Sequence, residues 1–130
     1  MSKEIVHIPG YSDAIKKAGV PLSAAVKANG FVFVSGMPPM DLATGELIKG
    51  DIETQTEAVM EALKQVLEHS GSSLDKVVKV TVFAANSGFF GRINNVYKRY
   101  FETDPPARSF VTVGSWPLEF DVEIECVATT

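Results

Sequence analysis

The stretch Ser23–Gly36, SAAVKANGFVFVSG, decides the fold class. Asn29-Gly30 sits between two runs able to form strands, and an Asn-Gly pair so placed is the strongest short-range signal for a two-residue β-hairpin. A turn there sets Ala28 opposite Phe31 and Val26 opposite Phe33. Working outward, Ile5-Val6-His7-Ile8 reads as a first strand ended by Pro9-Gly10, followed by a polar stretch containing Lys16 and Lys17. Downstream, PPMDLATGEL (residues 38–47) reads as a loop with a turn at Thr44-Gly45.

Asp51 is placed to cap a helix that runs to about Ser70, with Gly71 as its stop. Ile52, Val59, Met60, Leu63, Val66 and Leu67 fall on one face of that helix. The β-branched run from Lys76 to Ala84 reads as a strand. Ser87 is placed to cap a second helix, Gly88 to about Phe101, with Phe90, Ile93, Tyr97, Tyr100 and Phe101 as its apolar stripe. Two strands, ARSFVTV and LEFDVEIECVAT, close the chain. The order β-ββ-α-β-α-ββ predicts one α+β domain spanning residues 1–130, a single sheet with both helices on one face. Two helices leave the other face bare, so an oligomer that buries part of it is expected.

Composition narrows the function. The chain has 130 residues, 45% apolar and 22% charged, which suits one globular domain with a real core. Its net charge is −4 with Lys and Arg scattered, which argues against a phosphate-backbone grip on nucleic acid. The single cysteine, Cys126, permits no intrachain disulfide. No apolar run approaches membrane-spanning length and the first residues lack a signal-peptide layout, so a cytoplasmic protein without a membrane partner is expected.

Candidate chemistry gathers in the last two strands. If Gly114-Ser115-Trp116-Pro117 forms a hairpin loop, Thr112 faces Glu119, Phe110 faces Asp121 and Arg108 faces Glu123 on one side of the sheet, with Val113, Val111, Leu118, Phe120 and Val122 on the other. Glu119, Asp121, Glu123 and Glu125 then line one face. The plainest reading is a solvated acidic face with a cross-strand ion pair. A divalent-metal site is not expected, because such sites draw oxygens from turns and several elements. His7 and His69 form no ligand cluster with Cys126. His69 suits a helix C-terminus, and Cys126 a buried thiol. Ser35 and Ser109 lack a matched His-Asp pair. Tyr97 reads as a packing residue, and Asn94 as packing or as a side chain approaching a cleft.

Pro106-Ala107-Arg108-Ser109, followed by Val122-Glu123-Ile124-Glu125, resembles the signature of the YjgF/RidA family. Phe33-Val34-Ser35-Gly36, Thr44-Gly45-Glu46, Val78 to Phe83, and Asn94 with Tyr97 match as well. The resemblance implies a chorismate-mutase-like fold, a homotrimer with clefts between subunits, and a cofactor-free deaminase that hydrolyses 2-imino acids or their enamine tautomers to 2-keto acids and ammonia. It implies that Arg108 holds the substrate carboxylate and that Glu123 moves protons and positions water. Leu22, Ser35, Gly36, Asn94 and Phe110 would line the pocket for a small 2-imino or 2-keto acid. The chain departs from the family pattern at Val20-Pro21-Leu22, where many members carry Gly-Pro-Tyr. It departs again at Phe110, where many carry cysteine, and at Trp116, where a smaller aliphatic residue is usual. Leu22 and Phe110 make the pocket more apolar, and Phe110 has only its main-chain N–H to offer a carboxylate. The alternative reading is a trimer that binds small carboxylates for regulation without turnover.

Overall fold

A computed structural model describes residues 2–130. The strands are β1 (Glu4–Val6), β2 (Ala25–Ala28), β3 (Phe31–Met37), the short pair β4 (Met40–Asp41) and β5 (Glu46–Leu47), β6 (Val77–Ala84), β7 (Ala107–Thr112) and β8 (Val122–Thr129). The helices are α1 (Tyr11–Ala18), α2 (Ile52–His69) and α3 (Phe90–Tyr97). The main sheet has the order β1-β2-β3-β8-β6-β7.

The β2–β3 hairpin forms in the expected register, Ala28 opposite Phe31 and Val26 opposite Phe33. Asn29 (φ 53°) and Gly30 (φ 82°) supply the left-handed pair that a two-residue turn needs to match strand twist. Asp51 caps α2 by accepting a 2.8 Å hydrogen bond from the Thr54 N–H. All six apolar residues expected on the inner face of α2 are buried. They pack with Ile93 and Tyr97 of α3 over the sheet face formed by Val32, Val34, Val80, Val82, Ile124, Cys126 and Ala128. Cys126 is buried as expected, and burial pushes its thiol up to about 12.

Four expectations need correction. The polar stretch after Pro9-Gly10 is a third helix, α1. Buried Tyr11 and Ile15 dock it, and Gly19 (φ 73°) ends it. The second predicted helix starts on Asn86, whose Oδ1 accepts from the Gly88 N–H at 2.7 Å. A short 3₁₀ turn over Ser87–Phe89 precedes α3, which stops at Tyr97 rather than Phe101. The last two strands do not pair with each other. β7 runs parallel to β6, joined to it by the α3 crossover that a parallel neighbour requires, while β8 enters antiparallel between β3 and β6. Residues 113–121 therefore pass over the end of β6, with Val113 N–H on the Ala84 carbonyl and Ala85 N–H on the Asp121 carbonyl. Finally, the four-carboxylate row is broken. Glu119 lies in that connection near Lys49, and Asp121 turns toward α2, leaving Glu123 and Glu125 as strand neighbours.

Gln55 fixes where β8 begins. Buried at the start of α2, it donates to the Gly50 carbonyl (2.9 Å) and to Asp121 Oδ2 (3.0 Å), and its Oε1 accepts from the Asp121 N–H (2.8 Å). The sheet face away from α2 and α3 carries Ile5, Phe31, Phe33 and Val111, all exposed in a single copy. Gln55→Ala strands three polar groups in a part-buried corner and is expected to cost about 1–3 kcal/mol, read as a lower urea midpoint. An unchanged midpoint would mean that the amide does not hold this corner.

Candidate active site

Arg108 lies on β7, the edge strand. Its parallel partner is Val80, whose side chain lies under the helices, so Arg108 points to the helix face. Helix α3 presents Phe90, Asn94 and Tyr97 there, at i, i+4 and i+7 on one side of the helix. Arg108 Nη1 donates to Asn94 Oδ1 at 2.8 Å. The guanidinium carbon sits 4.8 Å from the Tyr97 ring centroid and 5.7 Å from that of Phe90. Phe110, two residues on and on the same face, meets Phe90 edge-on at 4.9 Å. Among the described residues no carboxylate forms an ion pair with Arg108. This half-buried cation has one neutral acceptor, so most of its five donors stay open. Because Val113 N–H bonds to β6, the two-residue alternation of an edge strand turns the Phe110 N–H outward.

Glu123 lies on β8 opposite Phe83, on the other face of the sheet. The β3–β8 ladder jumps from Val34–Cys126 to Met37–Ile124, a bulge at Ser35-Gly36 of the kind that re-aims side chains. Glu123 occupies the space this opens: a Cβ on Gly36 would fall 2.5 Å from its Oε2. Burial raises the Glu123 carboxyl above its ordinary value, the Trp116 side chain opposes this, and Glu125 adds to it. Tyr11 is raised too, by burial first and by the Glu123 charge second. Beside this acid, Ser35 Oγ donates to the Ser23 carbonyl at 2.6 Å. Ser35 also lines a groove of about 530 Å³ shared with Ser12, Ile15, Val20, Leu22 and Ser23. Leu22 is 45% exposed there, an apolar wall where a hydroxyl was expected to be missing.

The predicted site residues thus fall into two clusters. Arg108, Asn94 and Phe110 stand together on one face. Glu123, Gly36 and Ser35 stand together on the other, with Leu22 in the adjoining groove. The expected cross-strand contact of Arg108 with Glu123 does not form, because β6 separates their strands and the pleat sends their side chains to opposite faces. Sequence reasoning missed the aromatic bed under Arg108. The spacing of Phe90, Asn94 and Tyr97 was the available signal. It also missed Tyr11 near Glu123, for which no local pattern exists, and it named Trp116 only as a loop residue and a departure from the family pattern. Among the described residues, no three His, Cys, Asp or Glu side chains gather as a metal site would need. Among the described residues, no helix is long and apolar enough to cross a membrane.

Comparison with known proteins adds the family. A family model described as Endoribonuclease L-PSP matches residues 10–130. A RutC family protein of Pyrococcus abyssi is 41% identical over 98% of each chain. The chloroplastic Reactive Intermediate Deaminase A of Arabidopsis thaliana is 39% identical over 84% of this chain and 58% of its own length. The crystal structure of the Yersinia pestis Rid-family protein YyfA superposes with a TM-score of 0.90 at 36% identity, covering 99% of this chain and 100% of that one. On this match across nearly its whole length, the chain belongs to the Endoribonuclease L-PSP family, the YjgF/RidA family.

Proposed function

We propose that the protein is a cofactor-independent deaminase that hydrolyses 2-imino acids, or their enamine tautomers, to 2-keto acids and ammonia. The observation that carries this is the open guanidinium. Arg108 is held in place by α3 yet has no acid of its own, so it is ready for a ligand carboxylate. A planar fork matches a carboxylate with two charge-assisted hydrogen bonds, and the outward N–H of Phe110 adds a third donor nearby.

On this reading the site is completed between copies. One chain carries the anion-binding cluster and the acidic cluster on opposite faces, so only a second copy brings Glu123 to Arg108. A head-to-tail contact repeated around a closed ring does this once per subunit, and a homotrimer is the smallest such ring. Assembly would also cover the exposed Phe31, Phe33 and Val111.

The chemistry then follows. The carboxylate fixes the substrate on Arg108, and the C=N carbon lies toward Glu123 of the neighbouring copy. Water attacks that carbon as the C=N π pair moves to nitrogen, and one water proton passes to the Glu123 carboxylate and from it to that nitrogen, giving a carbinolamine. The C–N bond then breaks with its electron pair going to nitrogen, the remaining hydroxyl proton passes through the same carboxylate to that nitrogen, and ammonia leaves as the C=O forms. A carboxyl raised toward neutrality can both take and return a proton. A positioned water and a proton carrier are enough for so reactive a bond.

The assay generates 2-iminopropanoate or 2-iminobutanoate with an amino-acid oxidase and traps it with semicarbazide. The protein is expected to hasten the loss of trappable imine. Arg108→Ala is expected to abolish both turnover and keto-acid binding, and Glu123→Gln to keep binding while slowing turnover about 10²- to 10⁴-fold. Keto-acid binding without faster imine loss would leave a non-catalytic carboxylate binder. Gly36→Ala sets a methyl group against the mobile end of Glu123, so the carboxylate is expected to move while the backbone stays. Turnover should fall about tenfold or more with little change in melting temperature. Equal activity would show that Glu123 does not need its place over Gly36.

The raised Glu123 carboxyl also has a stability consequence. A folded-state value above the unfolded one means stability present below about pH 4.3 is lost as pH rises through the folded value. Glu123→Gln removes that loss. It is expected to be more stable than wild type at pH 7, with the gap closing toward pH 4 in urea titrations. A gap that widens toward acid would contradict the burial argument.

A further inference from the structure

Tyr97 does more than fill the core. Its ring lies under the Arg108 guanidinium at 4.8 Å, and Phe101 in turn backs that ring at 4.9 Å. Tyr97 is 7% exposed, so it is a fixed surface rather than a mobile one. Its hydroxyl is buried and finds no hydrogen-bond partner among the described residues. Burial pushes that hydroxyl up to about 12, so it stays neutral in the working range. The contact with Arg108 is made by the ring face.

A long arginine side chain samples many rotamers, and ordering it on each binding event weakens binding. Here two constraints act at once. Asn94 Oδ1 holds one edge of the guanidinium through Nη1, and the Tyr97 face holds its plane. An edge and a plane together fix the orientation of a planar group, which neither does alone. The 5.7 Å contact with Phe90 closes the same side. The donors away from Asn94 are left for a ligand.

We propose that Tyr97 is a positioning residue for Arg108: its ring face, together with Asn94, pre-orients the guanidinium fork for a ligand carboxylate. The proposal rests on the reading of Arg108 as the carboxylate anchor. It assigns the work to the ring and none to the hydroxyl, so phenylalanine must substitute for tyrosine.

The test compares Tyr97→Phe and Tyr97→Leu by calorimetric titration with 2-oxobutanoate, by KM and kcat for 2-iminopropanoate, and by the NMR resonance of the Arg108 Nε–H, assigned by its loss in Arg108→Lys. Tyr97→Leu is expected to raise Kd and KM about 3- to 30-fold. Its kcat should stay within about twofold, because an orientation fixed before binding acts on affinity. Tyr97→Phe should match wild type within about twofold on every measure. The Nε–H signal should carry a ring-current shift in wild type and Tyr97→Phe and lose it in Tyr97→Leu. Folded Tyr97→Leu with unchanged Kd would overturn the proposal. So would Tyr97→Phe losing as much as Tyr97→Leu, since the hydroxyl would then be the active part. Should Tyr97→Leu fail to fold, Tyr97→Met keeps more volume without a π face and is held to the same standard. A wild-type Nε–H signal with no ring-current shift overturns the clamp without any variant. Wild type that binds no carboxylate sinks the anchor reading and the clamp with it, whereas wild-type binding matched by Tyr97→Leu sinks the clamp alone.

Discussion

The pleat of one sheet governs the chemistry this chain can offer. Side chains alternate across a strand, so each functional residue is committed to a face as soon as its strand pairs. Arg108 shares the helix face with Val80 and Cys126, and Glu123 shares the other face with Phe83. Had the two met within one chain, each would have satisfied the other. The fork would be saturated, and the carboxyl would be held low by its neighbour. Kept apart, the guanidinium stays open and burial leaves the carboxyl raised. Within a single copy the two groups therefore stand on opposite faces, and neither satisfies the other.

Much of the fold was legible because it rests on local physics. The Asn29-Gly30 turn is specified by a left-handed pair that few other residues tolerate, and it sets the β2–β3 register on its own. The inner face of α2 follows from its period, and its start from the Asp51 cap. Helix α1 was not legible. Tyr11 and Ile15 are too few to show a helical period, and the segment is helical because those two side chains dock on the core. The β7–β8 pairing was misread for a different reason. Alternation tells which residues of a strand share a face, but not which strand lies alongside. Both strands alternate well, and Gly114-Ser115-Trp116-Pro117 has the residues of a turn. What decides against the hairpin is long-range: α3 makes β7 a parallel neighbour of β6, and Gln55 ties Asp121 to the start of α2.

The site divides along the same line. Residue types were readable, since a guanidinium among apolar neighbours and a carboxylate on a half-buried strand are costly to keep without use. Their grouping was not, because it depends on the β6 insertion. The bulge at Ser35-Gly36 was passed over, although a glycine inside a strand run is a signal for a bulge or a close approach; it gives Glu123 its place. The aromatic bed under Arg108 was within reach, because Phe90, Asn94 and Tyr97 keep helical spacing. Tyr97 reads as a packing residue, and it is buried in the core.

Phe110 shows how a departure in sequence can leave chemistry in place. Its ring is committed to Phe90 in an edge-on contact and offers a ligand only apolar surface. The resemblance implies a cysteine here in many members, and this chain has a phenyl ring instead. The main-chain N–H is a different matter. Its outward direction follows from the alternation that sends Val113 N–H to Ala84, and any residue other than proline supplies it. The backbone of an edge strand is therefore a donor that substitution at position 110 does not remove, while the side chain there is free to shape the wall. Leu22 differs, since the hydroxyl that the resemblance implies at that position has no main-chain group to stand in for it. Of the two departures, the one at Leu22 lies in the groove that Ser35 lines, and the one at Phe110 lies in the aromatic cluster around Arg108.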